Sequence, residues 1–493
     1  MYVGTCGCPW AWAKVPTSSG PPGLCLKVPP TDPIWTMQRL DGRRKRALRI
    51  RPASGMNNLD CVAGAGGHSE TGATDMAKHL AALGGEAVRT EGFPAWPISD
   101  RAEEDALRSV LRSGTWGRLG GTAVAEFERR FAAFQHAGHA VAVVNGTTAL
   151  RIALLAAGIQ AGEEVIVPPY TFVATASAVV EANAVPVFAD IDAETLNLDP
   201  AAAEAAVTPR TRAVIAVHLG GMPADMDAVL AVAERHGLAV IEDAAHAHGA
   251  EYKGRRVGAI GHLGAFSFQS SKNLTCGEGG AVTTSDERLA AVCRSIHNCG
   301  RSRAGAWYEH NVIGGNHRMT EFQGALLNAQ LDRLEDQCAL RDRNGRHLAK
   351  RLREIPGIRP QPRDGNETRH AYHLFAMRYD ESAFGVPRGT FLQALRAEGI
   401  PISAGYTVPL YRQPLFVDKA FGPYAAAAGV DFARVRCPVA ERICTREGCW
   451  LSQNVLLGTI DDMDDIADAV RKLYDHRDEL RTFAESRSAG DAE

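Results

Sequence analysis

Short runs of consecutive apolar residues recur along this chain, and stretches with helical spacing separate them. An apolar run without polar alternation suits a strand that is covered on both faces, and helices between such strands are typical of parallel sheets. The pattern predicts an α/β fold whose large domain contains a mostly parallel, seven-stranded sheet. The predicted strands are 140–144, 164–167, 185–189, 213–217, 239–241, 265–268 and 281–284.

The C-terminal part of the chain predicts a smaller unit with a different pattern. A long helix follows residue 320, two further strands are predicted at 372–377 and 400–403, and a final helix closes the unit. We place the large domain at 76–330, a small C-terminal α+β domain at 331–485 and a disordered tail at 486–493. The buried stripe of the long helix is Phe322, Leu326, Leu327, Leu331 and Leu334, and that of the final helix is Ile466, Val470 and Leu473.

Residues 1–75 differ from the rest, because they combine proline-rich pieces, a basic cluster at 43–51 and a Gly/Ser/Thr/Asn stretch without apolar periodicity. Such a segment cannot build a core, so it predicts disorder or a mis-annotated extension upstream of a true start at Met76. The basic cluster is also compatible with a nucleic-acid or targeting patch. A chain that begins at Met76 is expected to fold and to keep its activity.

Charge and cysteine usage exclude several classes of protein. The net charge is −3, so the chain as a whole has no basic field for nucleic acid or for anionic membranes. No run reaches the ~18 apolar residues that a membrane helix needs. The 11 cysteines show neither CxxC pairs nor zinc spacing, so no disulfide or metal site is predicted. We expect a soluble cytoplasmic protein.

Common catalytic motifs are absent from the sequence. It contains no GxxxxGK[ST] loop, no HExxH and no GxSxG, and the glycines of 114–121 do not follow a strand as a dinucleotide fingerprint requires. ATPase, zinc protease, serine hydrolase and dinucleotide-dependent dehydrogenase functions therefore lose their main support.

Three segments that could carry chemistry come directly after predicted strands. At 145–150 a strand turns into a helix, and the amides of Gly146 and Thr147 could bind a phosphate there or serve in ordinary helix capping. Asp243 ends an apolar strand, as a functional carboxylate or as a cap. Lys272 lies in a turn beside a glycine-rich loop, where a lowered pKa would make its amine a nucleophile; an isolated lysine is more often on the surface.

Taken together, these segments resemble the DegT/DnrJ/EryC1/StrS family of pyridoxal phosphate-dependent sugar and cyclitol aminotransferases. The resemblance covers about residues 80–480 and implies the type I aminotransferase fold. It also implies pyridoxal 5'-phosphate as cofactor, a small-molecule keto substrate, an amino donor and a homodimer with shared active sites. The matching segments are 144–150, 162–168, 171–175, 242–250, 267–272 with 277–280, and 315–321.

The resemblance also implies a role for each matching residue. Lys272 would bond covalently to the cofactor and later move the substrate proton, and Asp243 would pair with the pyridine nitrogen. Asn316 would reach the phosphate of the neighbouring subunit's cofactor, or else only cap its loop. For the other matching residues, packing or capping is the alternative to cofactor contact. By the resemblance, Phe172 would stack on the cofactor ring and His246 would contact the ring oxygen. Ser267 and the amides of Gly146 and Thr147 would bind the phosphate.

Two branches of the family are close. Segments 115–121, 243–250 and 266–269 favour a 3-amino-5-hydroxybenzoate synthase, which dehydrates and aromatises its substrate. Segments 401–406 and 409–416 favour transamination of a keto-cyclitol or keto-sugar by glutamine or glutamate in aminoglycoside-type or secondary-metabolite biosynthesis, which we take as the main prediction. A non-catalytic paralogue would lack the lysine or the aspartate. The candidate substrate residues are His218, Tyr406 and Tyr411, each of which could also be a packed or capping residue.

Overall fold

A computed structural model describes residues 79–302, 305–306, 308–363 and 365–490. The extension predicted at 1–75 lies outside the described residues. The tail predicted at 486–493 begins inside the last helix, Arg477–Gly490, and residues 491–493 again lie outside the description.

Strands and helices alternate through the first two thirds of the described chain. The strands are β1 (His139–Val143), β2 (Glu164–Val167), β3 (Val185–Phe188), β4 (Thr211–Val217), β5 (Ala239–Asp243), β6 (Glu251–Tyr252), β7 (Arg255–Arg256), β8 (Leu263–Ser267), β9 (Gly280–Thr284), β10 (Ile358–Pro360), β11 (Glu367–Arg369), β12 (Leu374–Tyr379), β13 (Ile402–Ser403) and β14 (Gly448–Ser452). The α-helices are α1 (Arg101–Ser113), α2 (Ala123–Phe134), α3 (Gly146–Ala156), α4 (Ala174–Glu181), α5 (Pro200–Ala205), α6 (Met226–His236), α7 (Glu287–His297), α8 (Glu321–Leu352), α9 (Glu381–Phe384), α10 (Arg388–Ala397), α11 (Pro414–Val417), α12 (Pro438–Arg442), α13 (Ile460–Asp475) and α14 (Arg477–Gly490).

The central sheet contains seven strands in the order β1-β9-β8-β5-β4-β2-β3. Strand β9 pairs antiparallel with both of its neighbours, and the other pairs are parallel. Each of the seven apolar runs in the sequence forms one of these strands. The prediction of an α/β fold with a mostly parallel, seven-stranded sheet is therefore confirmed.

Side chains of the central strands alternate between two apolar layers. Val165 and Val167 of β2 pack in the layer that includes α3 and α4, whereas Ile166 packs in the layer that includes α2, α6 and α8. Val240 and Ile241 of β5 divide between the layers in the same way. Because both faces are covered, these strands need apolar residues at every position, which explains their unbroken runs.

A second, four-stranded antiparallel sheet has the order β10-β12-β14-β13 and a separate core with α10 and α13. Helix α8 contributes Leu334 to the core of the central sheet and Leu348 to this second core, so the predicted boundary after residue 330 falls within a continuous helix. The strand predicted at 372–377 starts at Leu374, because Tyr372 has a positive φ of 47° that a strand cannot hold. Within the described residues, no helix has the length and apolar character needed to cross a bilayer.

The first residue of α8 also caps α2. The Glu321 carboxylate accepts the backbone N–H groups of Ala123 at 2.6 Å and Val124 at 3.3 Å, at a helix start whose own N-cap, Thr122, makes no side-chain cap. The cap is tight, because a Cβ added at Gly121 would lie 2.1 Å from the Glu321 carboxyl carbon. A buried carboxylate at a helix N-terminus is stabilised by both hydrogen bonds and the helix dipole.

We expect Glu321→Ala to lower the free energy of unfolding by about 2 kcal/mol, because two buried N–H groups lose a charged acceptor. Urea unfolding of the variant and the parent protein measures the loss. Glu126→Ala, which removes an exposed carboxylate from the same helix, is the control and should change little. Equal stability of the Glu321 variant and the control would contradict the assigned cap.

Candidate active site

A cavity of about 550 Å³ opens at the carboxyl ends of the parallel strands. Open α/β sheets bind ligands at this edge because the loops after several strands meet there. The side chains that line it follow β1, β2, β5 and β8, and others come from the second sheet and the loop before it. The lining includes Gly146, Thr147, Phe172, Asp243, His246, Ser267, Lys272, Glu278, His373, Tyr406 and Trp450.

One end of the cavity is the N-terminus of α3. Asn145 caps this helix by accepting the N–H of Thr148 at 2.8 Å, and the first helical residues, Gly146 and Thr147, line the cavity. Ser267 at the end of β8 packs directly against the helix start, where a Cβ on Gly146 would lie only 2.7 Å from the Ser267 Cβ. Helix amides and a hydroxyl gathered in this way form a site for a phosphate-sized anion.

Asp243 lies at the last position of β5 and is buried. Its Oδ2 accepts the hydroxyl of Thr175 at 2.7 Å, and its Oδ1 accepts the N–H of Ala245 at 3.3 Å. Burial raises the pKa of Asp243, and the Thr175 hydrogen bond and the charge of Lys272 act in the opposite direction. A buried carboxylate of this kind favours a cation beside it.

Lys272 lies in the turn that follows β8, where its N–H donates to the Gln269 carbonyl at 2.8 Å. Burial lowers the pKa of Lys272 to about 8, and the negative charge of Asp243 partly opposes this shift. About a tenth of the amine is then unprotonated at pH 7, far more than for a lysine with its ordinary pKa. Lys272 is therefore an amine that can act as a nucleophile and as a proton acceptor.

Two neutral imidazoles form another wall. The rings of His246 and His373 lie with their centroids 4.3 Å apart, and burial lowers the pKa of both well below its usual range. His246 Nδ1 accepts the N–H of Gly220 at 3.3 Å. His373 Nδ1 lies 3.2 Å from the Asn273 side-chain oxygen, so it carries the proton and leaves Nε2 as an acceptor.

Aromatic side chains complete the lining. Phe172 follows β2 and is 56% exposed, so its ring lines the cavity instead of packing in the core. Tyr406 and Trp450 meet edge to face with ring centroids 5.0 Å apart, and Tyr170 packs behind both. Tyr406 is thus the one of the three predicted substrate residues that the structure brings to the cavity.

The other two predicted substrate residues lie elsewhere. His218 is fully buried; its Nδ1 accepts the N–H of Ala224 at 3.0 Å and its Nε2 donates to Glu242 at 3.0 Å. Tyr411 is also buried and donates its hydroxyl to Glu441 at 2.6 Å. Neither side chain lines the cavity, because protein partners already occupy their polar atoms, and substrate contact by either residue stays a prediction.

Asn316 does not line its own chain's cavity. It is exposed, and its backbone bridges to Asn298 just after α7. This placement leaves the predicted contact with a neighbouring subunit as a prediction.

Some residues of the site were missed in the sequence. Thr175 lies outside the cavity lining but donates its hydroxyl to Asp243, and its spacing could have revealed it, since Thr171 lies four residues before it and their hydroxyls are 3.1 Å apart. His373, directly before β12, and Trp450, in β14, lie far along the chain, and no local pattern links them to Lys272. Folding alone brings these two to the site.

The fold and the site together define an α/β enzyme with a buried carboxylate, a deprotonatable lysine and an anion cradle around one cavity. Residues 97–471 match the sequence model of the DegT/DnrJ/EryC1/StrS aminotransferase family. The chain belongs to this family and is an aminotransferase.

Named relatives agree with this assignment. An L-glutamine:2-deoxy-scyllo-inosose aminotransferase of Streptoalloteichus tenebrarius is 44% identical over 426 residues, which cover 82% of this chain and 100% of the relative. A 3-amino-5-hydroxybenzoate synthase of Amycolatopsis mediterranei is 41% identical over 367 residues, covering 74% and 93%. The crystal structure of a 3-amino-5-hydroxybenzoic acid synthase superposes with a TM-score of 0.71 at 38% identity, covering 79% of this chain and all of that one. The fold is the type I aminotransferase fold.

In cofactor-free protein we expect Lys272 to titrate with a pKa of about 8. Asp243→Asn should lower this pKa further, because the carboxylate stabilises the lysine ammonium. The pH dependence of Lys272 acetylation by acetic anhydride, followed by peptide mass spectrometry, measures both values. Asp227→Asn removes a surface carboxylate and should leave the midpoint unchanged. A midpoint above about 10 would show that burial does not lower the pKa of Lys272, and an unchanged midpoint in Asp243→Asn would show that the two groups do not interact.

Proposed function

We propose that this chain binds pyridoxal 5'-phosphate and transfers an amino group from glutamine or glutamate to a keto-cyclitol or keto-sugar in aminoglycoside-type or secondary-metabolite biosynthesis. The observation that carries the proposal is the placement of Lys272 and Asp243 on one cavity that ends in the anion cradle of α3. The cytoplasmic location stays a prediction.

The residues present fit this cofactor. The amides of Gly146 and Thr147 with the Ser267 hydroxyl suit its phosphate, and the close approach at Gly146 leaves room for no side chain at that position. Asp243 is buried, and among the described residues no cationic side chain forms an ion pair with it. Its carboxylate therefore suits a protonated pyridine nitrogen. Phe172 presents an exposed aromatic face for stacking. When bound, pyridoxal phosphate supplies an aldehyde that takes up the amino group and a ring that spreads negative charge.

Lys272 performs two tasks in this scheme. Its lowered pKa provides a free amine that would hold the cofactor, and the same amine would accept and return the substrate proton. Asp243, held in position by Thr175, would pair with the pyridine nitrogen and keep it charged. His246 and His373, both neutral, exclude water and offer hydrogen bonds without competing for the proton.

The charge of the lining supports a neutral ketone as substrate. Among the described residues that line the cavity, the charged side chains are Asp243, Lys272 and Glu278. This chain therefore provides no arginine, and no second lysine, to pair with a substrate phosphate or carboxylate. A hydroxylated, uncharged ring fits better than an acid of the kind named in the benzoate synthases, and the first relative's name supports glutamine as donor.

The purified protein with pyridoxal phosphate should aminate a keto-cyclitol or keto-sugar in the presence of glutamine and absorb visible light through the lysine-bound cofactor. A panel of ketocyclitols and nucleotide keto-sugars, with products identified by mass spectrometry, measures the activity. Lys272→Ala should lose at least about a thousandfold in turnover while still binding cofactor through its phosphate and ring.

Each alternative function has its own result in this assay. Formation of an aromatic aminobenzoate from an aminoshikimate-type ketone would favour the synthase function. A protein that shows no visible absorbance with the cofactor would be a non-catalytic paralogue. Retained turnover in Lys272→Ala would overturn the assignment of Lys272.

We also propose a homodimer whose active sites contain residues of both chains. The loop before Asn316 exposes large aliphatic side chains, with Ile313 93% and Val312 45% exposed. Adjacent exposed aliphatic side chains favour burial against another protein surface. If that surface is a second copy of this chain, the contact would also bring Asn316 close to the partner's cavity.

Mixing two inactive variants tests the shared site. A Lys272→Ala chain keeps the Asn316 that would complete its partner's site, and an Asn316→Leu chain keeps the lysine of its own site. Co-folded chains should recover about a quarter of wild-type activity under random pairing, because half of the dimers are mixed and each contains one intact site. A mixture that never exceeds the sum of its components, or an active monomer in sedimentation, would contradict the shared site.

A further inference from the structure

The segment 269–271, which directly precedes Lys272, receives a hydrogen bond from a tryptophan outside the turn. The indole N–H of Trp96 donates to the carbonyl oxygen of Ser270 at 3.0 Å, two residues before the lysine. In the described part of the chain, the other hydrogen bonds of residues 269–271 stay within the turn or return to Ser267. The tryptophan is thus what ties this stretch to a distant part of the protein.

Trp96 belongs to residues 89–98, which we call the strap. The strap begins on α13, where Arg89 pairs with Asp462 at 2.6 Å and Asp465 at 2.8 Å. Further along, the Pro94 carbonyl accepts the side-chain N–H of Asn454 at 2.7 Å. The strap therefore links the second sheet to the lysine turn.

A buried arginine fixes the indole ring. The guanidinium of Arg341 in α8 lies 5.2 Å from the centre of the Trp96 ring and is fully buried. Its Nε and Nη2 both donate to the side-chain oxygen of Gln453, and within the described residues its Nη1 has no hydrogen-bond partner. Burial lowers the pKa of Arg341 to about 10, so it remains charged at neutral pH.

Arg341 and the Trp96 ring stabilise each other. A buried cation without a carboxylate is costly, and the π face of the indole adds a negative surface to the one that the Gln453 oxygen provides. The cation in turn holds the ring in one orientation, with its N–H directed at the Ser270 carbonyl. Ring orientation and the backbone position of the lysine turn are therefore coupled.

We propose that Trp96 is a positioning residue for Lys272, which fixes the turn so that the lysine amine stays in the desolvated cavity beside Asp243. The proposal rests on the role given to Lys272 above. The tryptophan touches neither the cavity nor the reacting atoms and acts through the Ser270 carbonyl.

The test variant is Trp96→Phe, which keeps an aromatic face for Arg341 and removes the N–H donor. We expect kcat to fall about tenfold, because a small displacement of the amine misaligns proton transfer, while KM for glutamine changes less than about twofold. In cofactor-free protein, the midpoint of Lys272 acetylation should rise by about half a pH unit, because a loosened turn lets water reach the amine.

Tyr379→Phe is the matched control. It also removes an aromatic donor to a backbone carbonyl, that of Val386 at 2.6 Å, but in the core of the second sheet. We expect it to lower Tm without changing kcat or the acetylation midpoint of Lys272. If Trp96→Phe behaves in the same way, Trp96 is only structural and the proposal is wrong.

Two further arms keep the test decisive. If Trp96→Phe does not fold, Asn454→Ala, which releases the strap at Pro94, should move the midpoint in the same direction by a smaller amount; an unchanged midpoint overturns the proposal. The acetylation arm needs no cofactor, so it reports on Trp96 even if the protein shows no transamination. Failure of the proposed function and failure of this proposal are therefore separate results.

Discussion

The burial of one carboxylate organises this site. Asp243 ends a strand in the centre of a sheet, where water cannot solvate its charge, and neighbours must supply what water would. Thr175 and the Ala245 amide supply hydrogen bonds, and Lys272 supplies a charge across the cavity. Burial of Lys272 itself lowers the pKa of its amine against the opposing charge of Asp243, so the cost of desolvation creates the reactive amine. Site chemistry here follows from the position of a strand end.

Parallel pairing explains why these residues meet. Asp243 and Ser267 end the adjacent strands β5 and β8, and Gly146 follows β1 on the other side of β9. Residues at equivalent ends of parallel strands share one edge, although more than a hundred positions separate Gly146 from Lys272 in the sequence. For this reason the apolar runs and the polar residues after them predict both the sheet and most of the cofactor cradle.

Other parts of the site lie beyond such patterns. His373 and Trp450 reach the cavity through the packing of the second sheet, which depends on contacts between distant segments. His218 and Tyr411 show the opposite case: each lies in a matching segment, but its side chain stays out of the cavity because a protein carboxylate, Glu242 or Glu441, binds its polar atom. Sequence spacing predicts which loops approach the cavity, but it does not predict the orientation of each side chain.

Helix α8 connects the central sheet and the second sheet, which both supply residues to the cavity. It begins by capping α2 and runs on beneath the second sheet, where Gly345 faces the ring of Tyr372. A Cβ at this glycine would lie 2.4 Å from the tyrosine ring, next to His373 in the chain. An added methyl group at Gly345 would therefore force the Tyr372 ring to move, and Tyr372 directly precedes a residue of the cavity lining. A helix that contributes no residue to the cavity lining thus constrains the backbone beside it.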